Sequence, residues 1–398
     1  MKVLVTGARG FVGSNLCEAL KNIRDGKDRR ERYRVLLPLE VMECDRDTTA
    51  EELAEYCSRA EFVVHLAGVN RPKDDSEFRT GNVGSLEYVL ACLERAKSPA
   101  PVLLSSSAQA SLQGRYVGSV YGRSKLDAEN LLRQYVDAHG TRAYIYRFPN
   151  LYGKWCRPRY NSAVATFCDA IANGREFHVD NEGTELSLLY IDDLVSSVMD
   201  CMLGKVEPDA DGICHAGPVA HATLGEIVAL LKSFRDSRET LDVPDILEDG
   251  FPKKLYSTFL SYYEPGRLAY DLHPNVDERG SFTEFLHTPD RGQVSINVSK
   301  PGITKGEHWH MSKWEKFLVV SGHALIRERR VGTNPDGNPY PVDEYEVDGE
   351  HPRVVEMIPG MTHSIVNLSD SENLVTVMWA NEVFDPDAPD TYREPVGE

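Results

Sequence analysis

No apolar run in this chain approaches the ~20 residues that a helix needs to cross a bilayer, which argues against a helical membrane span. Nor is there an excess of positive charge. Lys and Arg number 44 against 62 Asp and Glu, a net charge of -18. A surface of that sign does not attract nucleic acid or anionic lipid in general, because both need basic residues to displace counterions. A local basic pocket for a phosphorylated small molecule is still allowed. No Cys-x-x-Cys pair occurs. The eight cysteines are scattered between Cys17 and Cys214, and the last third of the chain has none. That pattern fits reduced thiols better than disulfides or a zinc ribbon. Strand-like sequence begins at Lys2 with no signal-peptide region before it, so a cytoplasmic chain is expected. Internal repeats and low-complexity tracts are missing too.

What is present suits two soluble domains. The 398 residues are enough for two cores, and 41% hydrophobic with 27% charged residues is ordinary for a globular protein. In the first part, buried-strand candidates (Met1–Thr6, "EFVVHLAG", "PVLLSSS", "AYIYRF") alternate with amphipathic helices ("SNLCEALKNI", "EELAEYCSRA", "SLEYVLACLERA"). Alternation of this kind predicts a doubly wound, Rossmann-like parallel sheet with helices on both faces. A late helix over Ala222–Ser237 has Thr223 as its N-cap candidate. After about Asp242 the texture changes. Residues 244–266 read as a linker. From 267 on, the helical period gives way to short apolar runs between turns ("QVSINVS", "KFLVVSG", "HALIRERR", "RVVEMI", "NLVTVMWA"), the mark of an all-β barrel or jelly roll. The expected domains are therefore 1–243 and 267–398.

"TGARGFVG" sets Gly7, Gly10 and Gly13 between the first strand and its helix. Glycines there allow a sharp turn and a close approach of backbone to a pyrophosphate, which the helix N-terminus then favours. Further along, "SSS" ends a strand at Ser107, and "YGRSK" supplies Tyr121 and Lys125. Four residues apart on a helix is one face, so the two can meet at one ligand. The cation is expected to lower the phenol pKa toward neutrality. Either feature alone is also compatible with a plain turn or a solvated helix face; together they point to a nucleotide-dependent redox site.

Over roughly Met1 to Leu241 the chain resembles the extended short-chain dehydrogenase/reductases, especially those acting on nucleotide sugars. The resemblance rests on the glycine turn, "HLAG", "SSSAQA", "YGRSK", "RFPNLYG" and "YIDDL". It implies Ser107, Tyr121 and Lys125 as catalytic residues. It implies cofactor contacts from Gly7, Arg9, Gly10, Phe11, Val12 and Gly13, from Arg46, from Leu66, Ala67 and Gly68, and from Tyr121 and Lys125. Asn150 would lie against the sugar nucleotide. The end of the second strand holds Asp45 and Arg46 side by side, so NAD and NADP are both open there. Arg9 in the glycine turn favours NADPH.

The second half has its own constellation. In "GITKGEHWHMSKWEKFLVVSG", His308 and His310 are two apart and share a strand face. Glu315 follows, and His363 comes later in "PGMTHSIVN". Three imidazoles and a carboxylate suit a divalent ion such as Zn, Fe, Mn or Ni. The set resembles the cupin superfamily: Gly302, His308, His310, Glu315 and Gly322 fit its first motif. His363 and Asn367 keep the spacing of its second, with Pro359 and Gly360 adjacent instead of one apart. "DERGSFTEF" and "QVSINVSKPGITKGEHWH" are also similar to the dTDP-4-dehydrorhamnose 3,5-epimerases. In those enzymes the histidine matching His308 is a base without a metal. Ligand and base are thus alternatives for His308, and ligand is preferred. The likeness places Arg279 and Lys305 against substrate.

As a whole, reductase then linker then cupin resembles the bifunctional enzymes of capsular polysaccharide synthesis. That implies a UDP-linked 4-keto-6-deoxy amino sugar as substrate, C3 epimerisation by the cupin and NADPH reduction of the C4 ketone to a 6-deoxy-talose sugar. The product would be a precursor of N-acetyl-L-fucosamine. Zinc, a homodimer, and no nucleic-acid or membrane partner are implied as well. The alternatives are a 4-epimerase or dehydratase with a structural cupin, and a nucleotide-sensing module.

Overall fold

The computed structural model describes residues 1–72, 74–244, 250–288 and 290–397. Residues 245–249 of the segment expected as a linker, and residue 398 of the expected second domain, lie outside them. The chain divides into two compact units, residues 1–232 with 249–263 and residues 233–248 with 264–398.

In the first unit, strands β1 (Lys2–Thr6), β2 (Glu40–Cys44), β3 (Phe62–His65), β4 (Val102–Ser107) and β5 (Ala143–Phe148) are parallel. Next come β6 (Asn150–Tyr152), β7 (Glu185–Tyr190), β8 (Ile213–Cys214) and β9 (Val219–Thr223). The main sheet has the order β2-β1-β3-β4-β5-β8, with β6-β7-β9 in a small separate sheet. The helices are α1 (Phe11–Arg24), α2 (Ala50–Arg59), α3 (Ser76–Phe78), α4 (Ser85–Ala96), α5 (Val120–His139), α6 (Ala163–Asn173), α7 (Ile191–Met202), the first half of α8 (Leu224–Thr240), whose residues from 233 on group with the second unit, and α9 (Phe251–Leu260).

Strand alternation divides the core in two. Val3, Val5, Val64 and Leu103 face α1 and α7 through Leu16, Leu20 and Val198. Leu4, Val63, Val102 and Leu104 face α2, α4 and α5 through Leu53, Leu90 and Leu132. Helices thus cover both faces, as a parallel sheet requires. The helix boundaries follow their caps: Thr49 and Glu52 form a capping box on α2, and Thr223 with Glu226 does the same where α8 begins.

Within residues 244–266, α9 is a helix that groups with the first unit. The prolines and glycines of this segment read as a connector, but the helix begins at Phe251, with Gly250 as its N-cap and Pro252 in its first turn, where proline is tolerated. Leu255 and Phe259 are fully buried, and Phe251 meets Tyr152 edge-on at 5.6 Å. The Lys254 ammonium pairs with Asp193 at 2.8 Å.

The second unit is antiparallel. It contains β10 (Asn275–Asp277), β11 (Gly280–Thr288), β12 (Gly292–Ser299), β13 (Thr304–Trp309), β14 (Glu315–Ser321), β15 (His323–Arg330), β16 (Val342–Asp348), β17 (Val354–Met357), β18 (Met361–Asn367), β19 (Leu374–Ala380) and β20 (Tyr392–Arg393). They form two sheets, β10-β11-β12-β19-β14-β17 and β16-β15-β18-β13-β20. Phe317, Val319, Ile326, Val347, Met357 and Ile365 fill the space between. Strand β12 is turned inside out. Its buried residues are Gln293, Ser295, Asn297 and Ser299, while Val294, Ile296 and Val298 are only half-buried. Gln293 and Asn297 on this polar inner face line a cavity, so the unit has a polar interior as well as a dry core.

Phe259→Ala removes a fully buried ring and is expected to cost about 3–5 kcal/mol. The check is a lowered denaturation midpoint for the first unit; an unchanged midpoint would show that α9 is only appended.

Candidate functional sites

The order of strands in the first unit reverses between β1 and β3, and ligands of open parallel sheets bind in the crevice at such a point. Both loops expected to touch a cofactor start there. Gly7, at φ 68°, lies so near the β3 loop that a Cβ would stand 2.8 Å from the Ala67 nitrogen. A Cβ on Gly13 would strike the Gly7 carbonyl at 2.2 Å. Gly10 is the N-cap of α1 with no side-chain cap. This helix of 14 residues therefore offers open N–H groups beside Phe11 and Val12. Leu66, Ala67 and Gly68 follow β3 directly. Such a cradle fits a dinucleotide.

The expected selectivity residues are disposed unequally. Arg9 pairs with Asp47 at 2.8 Å. The Asp45 carboxylate accepts two backbone N–H groups, from Arg9 and Arg46, at 2.9 Å each. Among the described residues the Arg46 guanidinium has no hydrogen-bond or ion-pair partner.

Ser107 ends β4, and its hydroxyl accepts the Gln109 N–H at 3.2 Å. Tyr121 and Lys125 lie in the first turns of α5, whose N-cap is Ser119. The Lys125 ammonium donates to the Ser105 carbonyl at 3.0 Å and sits 5.9 Å from the centre of the Tyr121 ring. Burial pushes the Tyr121 phenol up to about 12, and only its hydrogen bond with Ser107 opposes this. The expectation that Lys125 lowers it is therefore not met: desolvation outweighs a cation that makes no contact with the oxygen. A phenol held protonated at neutral pH is a proton donor. Burial lowers Lys125 to about 8, with the Glu129 charge acting the other way.

Three supporting residues were missed in the sequence. Asn82 lies in a π-helical turn (Arg79–Gly84) and joins the β3 loop to α5. It accepts the Val69 N–H at 2.8 Å and donates to the Ser124 hydroxyl at 2.9 Å. Glu129 is fully buried and accepts from Ser106 at 2.5 Å and from Arg147 at 2.9 and 2.7 Å. The spacing Tyr121, Lys125, Glu129 was the available signal, since all three share one helix face. His65 hydrogen-bonds Thr6 at 2.9 Å beneath the two cofactor loops. Asn150 sits apart on β6, exposed, and donates to the Ser187 carbonyl at 3.2 Å. The "YIDDL" acids form ion pairs, Asp192 with Lys154 and Asp193 with Lys254.

The second unit holds a cavity of about 700 Å³, lined among others by Arg279, Lys305, His308, His310, Glu315 and His363. Three positions of offset would put Lys305 and His308 on opposite strand faces. A bulge between Gly306 and His308 resets the phase, with Gly306 at φ 96° and Glu307 at φ 61°. Lys305, His308 and His310 then all reach the cavity. Gly306 cannot carry a side chain, since a Cβ would be 2.7 Å from the His363 carbonyl oxygen.

One potential ligand atom from each of His308, His310, Glu315 and His363 lies within 4.8 Å of the others. Glu315 Oε2 is 3.4 Å from His310 Nε2 and 3.5 Å from His363 Nε2, and these three buried atoms have no hydrogen-bond partner. The far nitrogen of His310 is taken, its Nδ1 lying 2.6 Å from the Asp390 carbonyl oxygen. Burial would raise the Glu315 carboxyl, but the two imidazoles beside it win and keep it ionised. Burial and then the neighbouring histidines lower His308 to about 4, so its imidazole is neutral at pH 7. Orphaned buried donors of this chemistry fit a divalent cation.

Lys305 is held by neutral oxygens only, Asn297 Oδ1 at 2.6 Å and the Val298 and Ser281 carbonyls at 3.0 and 3.4 Å. Burial lowers its pKa. Arg279 is tied to Asp277 at 2.6 Å in the β10–β11 turn.

Residues 3–214 match the NAD dependent epimerase/dehydratase family, and residues 275–392 match the polysaccharide biosynthesis C-terminal domain. Over 401 residues and the full length of both chains, the protein is 40% identical to a UDP-2-acetamido-2,6-beta-L-arabino-hexul-4-ose reductase of Pseudomonas aeruginosa. The crystal structure of the capsular polysaccharide assembling protein CapF from Staphylococcus aureus superposes with a TM-score of 0.86. It is 45% identical, with both chains wholly covered. A UDP-glucose 4-epimerase of Thermus thermophilus is 18% identical with a TM-score of 0.52, over 66% of this chain and 99% of that one; this shared likeness is one of fold.

Burial, and secondarily the Lys125 charge, lowers His65 from 6.5 to about 3. The folded form excludes the proton that the unfolded chain takes up below its ordinary pKa, so stability is lost as pH falls from about 6.5 toward 3. The expected slope is about 1.4 kcal/mol per pH unit. Denaturant titrations at several pH values should show this slope in the native chain relative to a His65→Gln variant.

Proposed function

The chain belongs to the NAD dependent epimerase/dehydratase family, and from that premise we propose a bifunctional nucleotide-sugar enzyme of capsular or surface polysaccharide synthesis. The second unit, a cupin jelly roll with a bound metal, epimerises C3 of a UDP-2-acetamido-2,6-dideoxy-4-hexulose. The first unit, an extended short-chain reductase, reduces the C4 ketone with NADPH to the UDP-6-deoxy-talose sugar. One observation carries this reading. A single chain holds a Ser107–Tyr121–Lys125 set, its lysine buried and its two hydroxyl residues half-buried, at the carboxyl end of a parallel sheet, and a His308–His310–Glu315–His363 cluster in a cavity.

The two reactions share one functional group. A C4 ketone acidifies the C3 hydrogen, so a proton can leave one face and return to the other. NADPH supplies the hydride when bound in the glycine cradle. Tyr121, protonated at neutral pH, gives its proton to the incipient alkoxide, and Ser107 holds the carbonyl oxygen in line. Lys125 keeps a buried positive charge behind the phenol. Reduction removes the acidifying carbonyl, so epimerisation must come first on any one molecule.

His308, His310, Glu315 and His363 would hold a divalent ion, zinc in our reading, which supplies a Lewis acid for the C4 oxygen. Lys305, an ammonium without a carboxylate partner, suits the diphosphate or an enolate oxygen. Arg279 is proposed for the substrate as well, by exchange of its Asp277 partner. Asn150 faces the sugar nucleotide. NADPH is favoured over NADH because Asp45 is engaged by backbone amides while Arg46 is free for a 2′-phosphate.

A homodimer fits the outer face of the sheet containing β12, where Ile296, Val377 and Leu318 are half-buried and Val320 and Val354 exposed. A cytoplasmic location agrees with eight free, buried cysteines. Among the described residues no helix is long and apolar enough to cross a membrane.

The test is NADPH consumption with the 4-keto substrate, alongside deuterium uptake at C3 in heavy water without NADPH. Tyr121→Phe should slow reduction by about 10²–10⁴-fold while C3 exchange persists. Stable NADPH absorbance with the native chain overturns the reductase reading. His363→Ala should lose both metal and exchange. His308→Ala separates the two roles of that imidazole: a ligand loses metal, whereas a base loses exchange with the metal retained. Arg46→Ala should raise the KM for NADPH about tenfold and leave that for NADH unchanged.

A further inference from the structure

The strand that carries His308, and His310 directly after it, are held from outside by a segment near residue 390. β20 pairs with β13 through His308↔Arg393 and Trp309↔Tyr392, and the Trp309 and Tyr392 rings meet at a tilt of 35° with centroids 5.0 Å apart. The bulge residue Glu307 is fixed twice. Its carbonyl accepts the Glu394 N–H at 2.9 Å, and its carboxylate accepts the Val396 N–H at 2.9 Å.

Asp390 connects this segment to the ligands themselves. Its carbonyl oxygen accepts from His310 Nδ1 at 2.6 Å. Its carboxylate accepts the backbone N–H groups of Met311, Ser312 and Lys313 at 2.9 Å each, and the Ser312 hydroxyl at 3.1 Å. Lys313, buried in the same turn, reaches back to the Pro389 carbonyl at 3.0 Å and the Thr391 hydroxyl at 3.2 Å. Asp390 itself is left-handed at φ 37°, a conformation that a non-glycine residue keeps only when its surroundings over-determine it. One residue thus orients a metal-ligand imidazole with its backbone and locks the following turn with its side chain.

We propose that Asp390 is a positioning residue of the metal site. Its carbonyl selects the Nδ1–H tautomer of His310, which leaves Nε2 as the electron-pair donor, and its carboxylate keeps that carbonyl in place. The proposal rests on the reading that the cluster binds a divalent ion. Partners of this kind typically contribute 10–100-fold to metal affinity.

The experiment uses the full chain, stripped of metal and titrated with Zn²⁺ against a chromophoric chelator. Asp390→Ala should bind Zn²⁺ about 10–100-fold more weakly than the native chain, with NADPH binding unchanged. Asp390→Asn, which presents an amide to three N–H donors, should weaken binding about tenfold, inside the same range. In ¹⁵N-labelled protein without metal, the His310 imidazole should lose its fixed Nδ1–H pattern in either variant, a readout that general loosening elsewhere would not move. If Asp390→Ala fails to fold, Asp390→Asn carries the same test. Native affinity together with a native His310 tautomer in a folded variant overturns the proposal. Failure of the native chain to take up Zn²⁺ overturns instead the metal reading beneath it.

Discussion

A carboxylate removed from water must be matched by donors, or it destabilises whatever surrounds it. Glu129 is where the first unit depends on that rule. No solvent reaches it, and Ser106 and Arg147 converge on it from two neighbouring strands. Because Glu129 lies on α5, the ion pair sets that helix against the ends of β4 and β5. It fixes the distance between Ser107 on one and Tyr121 and Lys125 on the other. Among the described residues none of these three hydrogen-bonds to Glu129, yet their arrangement follows from how its charge is matched.

The second unit solves the same problem differently. Glu315 is nearly as inaccessible, but its facing groups are two imidazole nitrogens slightly too far away for good hydrogen bonds. A site left incomplete in its own side chains is one organised around something else. The contrast is between a carboxylate whose donors are complete and one whose oxygen is left without a partner among the described residues.

Much of this was legible in the sequence, for identifiable reasons. The strand and helix periods gave the parallel sheet and then the antiparallel one, because each period reflects which face is buried. Gly7, Gly10 and Gly13 were readable because backbone contact leaves no room for side chains. The four members of the ligand cluster were readable because imidazoles and a carboxylate at strand spacing are an uncommon combination. What stayed hidden depends on tertiary approach. The bulge at Glu307 had one faint sign, a glycine inside a strand at Gly306, but which residues face each other across it depends on the partner strand. The burial of Tyr121, which reverses the expected direction of its pKa, depends on what packs over it. Helix α9 looked like a connector because its apolar face is short and its partners, Tyr152 and Asp193, are distant in sequence. Asp390 acts partly through a main-chain oxygen, which any residue has.

Vectorial synthesis gives the last of these a consequence in time. Asp390 follows His310 by 80 positions, and ribosomes add about 5–20 residues per second. For about 4 to 16 s, the imidazole strand is therefore made but not yet braced. The hydrogen bond to His310 and the locked turn that follows it can form only when almost the whole chain has been made, so the geometry of this cluster is among the last features of the second unit to be completed.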